Sequence, residues 1–572
     1  MFFMSRMAWP TIIGLSVLLN ACTAASPVPS TTQPSQPAPM AQRTLAIAIR
    51  AEPTSLSLRP PRETFADVQH TAIFNADIAI ADDRGSPVPY LVEALPQLNS
   101  DSWRVLPDGR METTYRLRPN LTWQDGTPLS AEDFVFSFRV YGTPDVGLAL
   151  QPPFNSIERV EASDARTFTI HWTRPYPDAG HMTGRDQNFP ALPRQLLESH
   201  FTNEPVETFL THPYWSREFL GLGPYRVVNW EPGSFIEAAA FEGHAGGRPK
   251  IDRIKIMFIS DANAVLAHLL SGDLDFAAPF TMAIPNALTL KDEWASKQGG
   301  TVLYQVGGFW HGLGVQFLPE RTSPQALLDV RVRRAIAHAI DRPAFNDAMN
   351  AGVGLEADYY LPTTGQWGSE VQRGAVKHNH DLQLAEQLMR EAGFEKGPNG
   401  VYTSATEGEF AVEVRTTAGP YATELAALAN DWENAGFKIN QQIIPPARSQ
   451  DLETAAGYPG LRLTTSPATE RIALAPIPGN IPTPENGWRG GSQISWTNTE
   501  YTRLVGQFSS TLERAERGDL MTQLARVFSE DLAVISLHFP PIVLAAAASL
   551  TGPKEGAPET NVFWNIQQWE LR

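Results

Sequence analysis

The groups in this chain with chemistry to offer are one thiol and 12 imidazoles. The thiol is Cys22. Without a second cysteine there is no internal disulfide and no cysteine-held metal cluster, so the thiol acts as a nucleophile or not at all. Among the histidines, His378 and His380 stand close together in His-Asn-His. That run has no recognisable metal-ligand pattern and reads as a polar surface loop, so no metal site and no cofactor are expected. A serine nucleophile would need Gly-x-Ser-x-Gly between a strand and a helix, and it is absent. His-Glu-x-x-His and Gly-x-Gly-x-x-Gly are absent too. Pairs of carboxylates occur in any chain of this length and decide nothing.

The elements that would position a site must be assembled from 572 residues, a length that implies two or three domains. Hydrophobic residues make up 42% and charged residues 19%, an ordinary globular balance. The formal net charge of -17 leaves no broad electrostatic footprint for nucleic acid. At the start, Arg6 precedes the apolar run Trp9 to Leu19, which is too short to span a bilayer and reads as a secretory signal, residues 1–21. The run ends in Leu19-Asn20-Ala21-Cys22, which resembles a bacterial lipoprotein signal in which the Cys22 thiol accepts diacylglycerol. Residues 22–41 are then the lipidated cysteine and a Pro/Ser/Thr-rich tether that cannot bury enough apolar surface to fold. No later stretch has 18 apolar residues without charge, so nothing else is expected to cross the membrane.

In the body, Arg43 to Ile49 is a short apolar strand. Ser130 followed by Glu132 and Asp133 reads as a capped helix start. Ile251 to Ile259, Asp261 to Ser271 and Leu274 to Phe276 read as strand, helix, strand, the order of a parallel or mixed α/β sheet. Helices are expected over 330–340, 381–392, 421–433 and 500–525, the last broken near Gly518. Val412 to Arg415, Phe437 to Ile444 and Ala533 to Phe539 are further strands.

Several segments together resemble one family. They are Leu91 to Pro96 with the strand-turn-strand, Asp125-Gly126-Thr127-Pro128 turn and helix of 106–138; 221–233 with the following strand and Leu269 to Asp275; Val330 to Phe345; Leu384 to Phe394; and Ser495 to Val505. In this order they resemble the extracytoplasmic solute-binding proteins of family 5, the dipeptide, oligopeptide and nickel class of ABC importers. The resemblance implies an α/β, two-lobed periplasmic binding protein fold of the large peptide-binding type, with a hinge between lobes. Lobe I is expected from 42–75, 206–310 and 511–572, an inserted subdomain from 76–205, and lobe II from 311–510. The implied function is binding, not catalysis. A lipid-anchored monomer on the periplasmic or extracellular face would capture a peptide or peptide-like solute and pass it to a permease and ATPase complex; the alternatives are a non-peptide solute (an opine, a sugar-derived compound or a metal chelate), a sensor or chaperone role and, remotely, a secreted hydrolase.

In the peptide-binding members an aspartate of the second lobe, shortly before the Asn-Pro segment, holds the ligand's amino group. Here no aspartate occurs between Leu452 and Ser510, and Arg489 stands in that stretch with Glu485 nearby. A guanidinium offers paired donors to a carboxylate or phosphate; the alternative is a solvated loop arginine. Aromatic faces suit a closing cleft. The candidates are Phe309 and Trp310, with His311 beside them, where the chain should pass between lobes, and Trp488 and Trp496 around the Arg489 loop. Their alternative is hinge or lobe packing.

Overall fold

A computed structural model describes residues 44–59, 69–183, 187–448, 451–492 and 494–572. The expected signal 1–21, Cys22 and the tether to residue 41 lie outside the described residues.

Three sheets carry the architecture. The seven-stranded sheet runs in the order Gly300–Gln305, Ile542–Ala547, Phe276–Ala277, Thr44–Ile49, Arg253–Phe258, Phe235–Ala240, Tyr225–Glu231. Thr44–Ile49 pairs in parallel with both of its neighbours. Its side chains are apolar on both faces because both faces are covered: Leu45 and Ile47 enter one core cluster and Ala48 another. Helix Ala262–Ser271 links two strands of this sheet. The Asp261 carboxylate accepts from the Ala264 N–H at 2.8 Å, and Gly272 at φ +82° closes the helix in the left-handed region that favours glycine.

A four-stranded antiparallel sheet, Trp103–Val105, Met111–Arg116, Thr167–Trp172, Ile157–Ala162, shares the larger of those clusters. Helix Ala131–Tyr141 packs on it, its start fixed by Ser130 N–H donating to Asp133 Oδ2 at 2.8 Å.

The six-stranded sheet runs Leu355–Glu356, Val534–Phe539, Phe309–Val315, Leu461–Pro467, Ala411–Thr417, Lys438–Ile444. Side chains alternate across a strand. Along Phe309–Val315, Leu313 and Val315 therefore enter one cluster while Trp310 enters the other. Gly312 lies on the Trp310 side, where a Cβ would come within 2.2 Å of the indole.

The chain passes between the seven- and six-stranded sheets twice, at residues 306–308 and 540–541. The passages run side by side: Gln305 pairs with Ile542 before them and His311 with His538 after them. Gly307 takes φ +95° at one passage. Pro540 and Pro541 occupy the other, where ladder N–H groups are not needed.

Three sequence expectations differ from the structure here. The sequence places residues 511–539 in the first lobe, yet Val534–Phe539 hydrogen-bonds within the six-stranded sheet, and Met521, Leu524 and Phe528 share a core cluster with Trp310. The Phe309–Val315 strand likewise starts two residues before the expected boundary at 311. The helix expected over 500–525 is two helices, Thr499–Ser510 and Arg514–Glu530, and Gly518 lies inside the second. A Cβ at Gly518 would stand 3.0 Å from Glu370 Oε1, so this glycine admits a close neighbour and does not end the helix.

Candidate functional site

Beside the two passages, groups carried by different sheets meet. Phe309, half-buried, stacks edge-on at 5.4 Å against Phe280, which follows the seven-stranded sheet's Phe276–Ala277. Arg50, at the end of Thr44–Ile49, lies within charge range of the Tyr421 phenol. Tyr421 stands in the first turn of helix Pro420–Ala435, and its ring is 5.4 Å from that of His311.

Behind His311 lies a buried trio. His311 Nδ1 is 3.1 and 3.2 Å from the two Glu424 oxygens, and His538 Nε2 is 3.6 Å from Glu424 Oε2. Burial pushes the Glu424 carboxyl up, but the two imidazoles outweigh it and hold it down at about 2. Burial lowers His538. One oxygen or nitrogen from each of the three lies within 4.8 Å of the others, a spacing compatible with a metal ion. The hydrogen-bond polarity argues otherwise. The Gly354 carbonyl can only accept, and it takes Asn346 Nδ2 at 3.0 Å. Asn346 Oδ1 then accepts from Asn350 Nδ2 at 2.9 Å, and the same Nδ2 lies 2.7 Å from His538 Nδ1. His538 Nδ1 must accept, so the proton of this neutral ring sits on Nε2 and points at Glu424. A metal at Nε2 would move that proton to Nδ1, into the Asn350 donor.

A second cluster joins the four-stranded sheet's side to the six-stranded sheet's side. Asp178 lies in the turn Pro177–Gly180 after strand Thr167–Trp172; Glu470 opens the short helix after Leu461–Pro467; Arg517 comes from Arg514–Glu530. Arg517 Nη1 is 3.6 Å from Asp178 Oδ1 and Nη2 is 3.0 Å from Glu470 Oε2. Trp367 Nε1 and Gln366 Nε2 donate to Glu470 Oε1 at 2.5 and 2.8 Å, and Gln187 Nε2 donates to Asp178 Oδ2 at 2.7 Å. Burial raises both carboxyls, and the Asp178 charge raises Glu470 further, against the pull of Arg517. Burial holds the adjacent His181 down at about 4.

The sequence candidates divide. Trp310 and Trp496, expected to face ligand, are core residues: Trp310 Nε1 donates to Ser536 Oγ at 3.0 Å and Trp496 Nε1 to Asp531 Oδ2 at 2.6 Å. Trp488 is half-buried at φ +63°, with the Arg321 guanidinium 4.2 Å above its ring. Arg489 and Glu485 are exposed. Arg489 has no ion pair to a described residue, and a hydrogen bond from Thr483 holds the Glu485 carboxyl low. His378, read as a surface loop residue, is buried, its Nε2 3.0 Å from the Ser529 carbonyl, and burial lowers it to about 4. Sequence reasoning missed Glu424, His538, Asp178, Glu470 and Arg517. These lie more than a hundred positions from most of their partners, and no local pattern marks them. The alternation of Phe-Trp-His does predict that Phe309 and His311 share a face that Trp310 does not.

Comparison with known proteins settles the family. Residues 93–466 match the bacterial extracellular solute-binding proteins, family 5 Middle. The chain belongs to this family. Among family 5 relatives, the oligopeptide-binding protein AppA of Bacillus subtilis is 22% identical over 572 residues, covering 97% of each chain. The structure of NikA from Brucella suis in complex with Fe(III)-EDTA superposes with a TM-score of 0.75 at 13% identity, over 93% of this chain and all of that one. NikZ from Campylobacter jejuni in complex with Ni(L-His) gives 0.70 at 20% identity over 93% of this chain. The fold is thus the mixed α/β fold of the periplasmic peptide- and nickel-binding proteins, and the relatives are binding proteins.

Proposed function

We propose that this family 5 protein is the lipid-anchored receptor of an ABC importer, taking a peptide or peptide-like solute between two lobes. One lobe would comprise the seven- and four-stranded sheets, the other residues 309–539, hinged at 306–308 and 540–541. Closure would favour the bound state because the solute touches both sides. The receptor would deliver its cargo as a monomer to the permease and ATPase.

The Asp178–Arg517–Glu470 cluster carries this reading. Two nearly buried carboxyls face one guanidinium across the line between the sheets, and a second cation there, a solute ammonium, would favour their ionised forms as Arg517 does. Arg517 Nε, Tyr176 Oη and Thr469 Oγ1 are buried without a partner among the described residues, and Tyr176 lies within charge range of both carboxylates. Buried donors of this kind are normally satisfied, and a solute carbonyl or carboxylate would satisfy them. Glu470 thus supplies, on the second lobe, the carboxylate that the Arg489 stretch lacks.

The test is a thermal-shift screen of the mature body, residues 42–572, stripped of carried ligand by unfolding and refolding. A solute that binds only the folded form raises the midpoint as its concentration rises. Saturable shifts with di- to oligopeptides support the reading. Shifts only with a sugar, an opine or a metal chelate overturn the solute class and leave the fold. The anchor is tested separately: Cys22→Ala should release the protein from the membrane fraction, and retention would remove lipidation from the account.

A further inference from the structure

The trio behind the passages determines which atom of His311 is free. Glu424 is held as a carboxylate and can only accept, so His311 Nδ1 carries a proton and donates to it. His538 cannot compete for that role from the other side of the ring pair. Its Nδ1 is taken by the chain of amides running back to the Gly354 carbonyl, and its Nε2 is sealed from solvent. His311 differs: its Nε2 has no hydrogen-bond partner among the described residues and is not sealed. The ring keeps 11% of its side-chain surface exposed. On one side stands Tyr421, itself within charge range of Arg50 from the seven-stranded sheet. Two residues earlier, on the same face of the strand, Phe309 reaches Phe280 across the same line.

We propose that His311 is a solute-contacting residue oriented by Glu424, its Nε2 the atom that meets the solute. In the neutral ring that atom accepts a hydrogen bond from an N–H group, an ammonium or amide nitrogen. Glu424, Asn350 and Asn346 are then positioning residues. They fix the His538 ring, which with Glu424 fixes the His311 tautomer, so the acceptor is set before any solute arrives and no reorientation is needed on binding. The inference rests on the solute-receptor reading for its ligand, but the state of the ring is a property of the protein alone.

Two measurements on the refolded mature protein decide it. Nitrogen NMR of protein labelled at histidine should show, for the neutral His311 ring, a protonated Nδ1 and a bare Nε2, with the reverse tautomer on His538. A proton on His311 Nε2 overturns the proposal. Diethyl pyrocarbonate, which attacks bare imidazole nitrogens, should then modify His311 and the exposed His380 but leave His538 intact; an unreactive His311 overturns it as well. Peptides that raise the thermal midpoint should slow modification of His311 at least tenfold while leaving His380 unchanged. A peptide that raises the midpoint without protecting His311 overturns the contact and leaves the receptor reading standing. If nothing in the screen raises the midpoint, the receptor reading fails and takes the contact with it. As a variant control, His311→Phe should weaken binding of such a peptide tenfold or more, and His311→Gln, which keeps an acceptor, should weaken it less.

Discussion

Arg517 reaches Asp178 at 3.6 Å from a helix that packs with the six-stranded sheet, while Asp178 belongs to the four-stranded sheet's side. With Glu470 on the same guanidinium, one buried cation serves two carboxylates contributed by two parts of the fold. Removing one partner of a buried charge set costs far more than the set contributes intact, because a desolvated charge is left behind. Arg517→Met should therefore lower stability by roughly 3–5 kcal/mol in urea unfolding at pH 7. Adding Asp178→Asn and Glu470→Gln to that variant should recover most of the loss. A triple variant no more stable than Arg517→Met would mean that the arginine acts by packing on Phe508, 4.3 Å below it, and not by charge.

Trp310 and Trp488 should respond in opposite ways. Trp310→Ala empties a core position and should cost about 3–5 kcal/mol of stability. Gly312→Ala, whose new methyl would meet the Trp310 ring and the Ile535 carbonyl, should cost about 1–3 kcal/mol by overpacking. Trp488→Ala loses a half-exposed contact with Arg321 and should cost no more than about 1 kcal/mol. If Trp488 meets the solute, its variant shows its effect in solute titration and not in unfolding.

Acid should destabilise the protein through buried histidines. Burial holds His244 at about 4, with its Nδ1 3.1 Å from the Leu222 carbonyl and its Nε2 2.6 Å from the Tyr90 hydroxyl. A folded value below the ordinary 6.5 means that the contribution is complete above pH 6.5 and is lost as pH falls toward 4. Between pH 7 and pH 5 this one group should remove about 2 kcal/mol. His244→Gln should flatten that part of the stability profile whatever its effect at pH 7; an unchanged slope would place the acid response elsewhere, in His181 or His378.

Asp77 works with the opposite sign. Burial raises it to about 7 against the Ile78 N–H and the Arg59 charge. Stability from its protonated form is complete below the ordinary carboxylate range and is lost as pH rises through 7. Asp77→Asn should thus gain stability relative to the parent as pH goes from 5 to 8, read from melting midpoints at both values.

Local chemistry wrote much of this protein into its sequence. The Ser130 capping box, the Asp261 cap with Gly272 behind it, and the apolar run of Thr44–Ile49 depend on residues a few positions apart. So do the family segments, which is why the binding-protein fold was legible. Pairing between distant strands was not. That Val534–Phe539 joins Phe309–Val315, and so carries residues 511–539 to the six-stranded sheet, depends on contacts across more than two hundred residues. The same holds for the candidate sites. Period two along Phe309-Trp310-His311 shows that one ring must turn away from the other two, but only packing decides that Trp310 is the one buried beneath Tyr360. Glu424 and His538 meet His311, and Asp178 meets Arg517, because closing the sheets excludes water there. A buried charge without water must find its partner wherever the fold brings one, and sequence spacing holds no record of that.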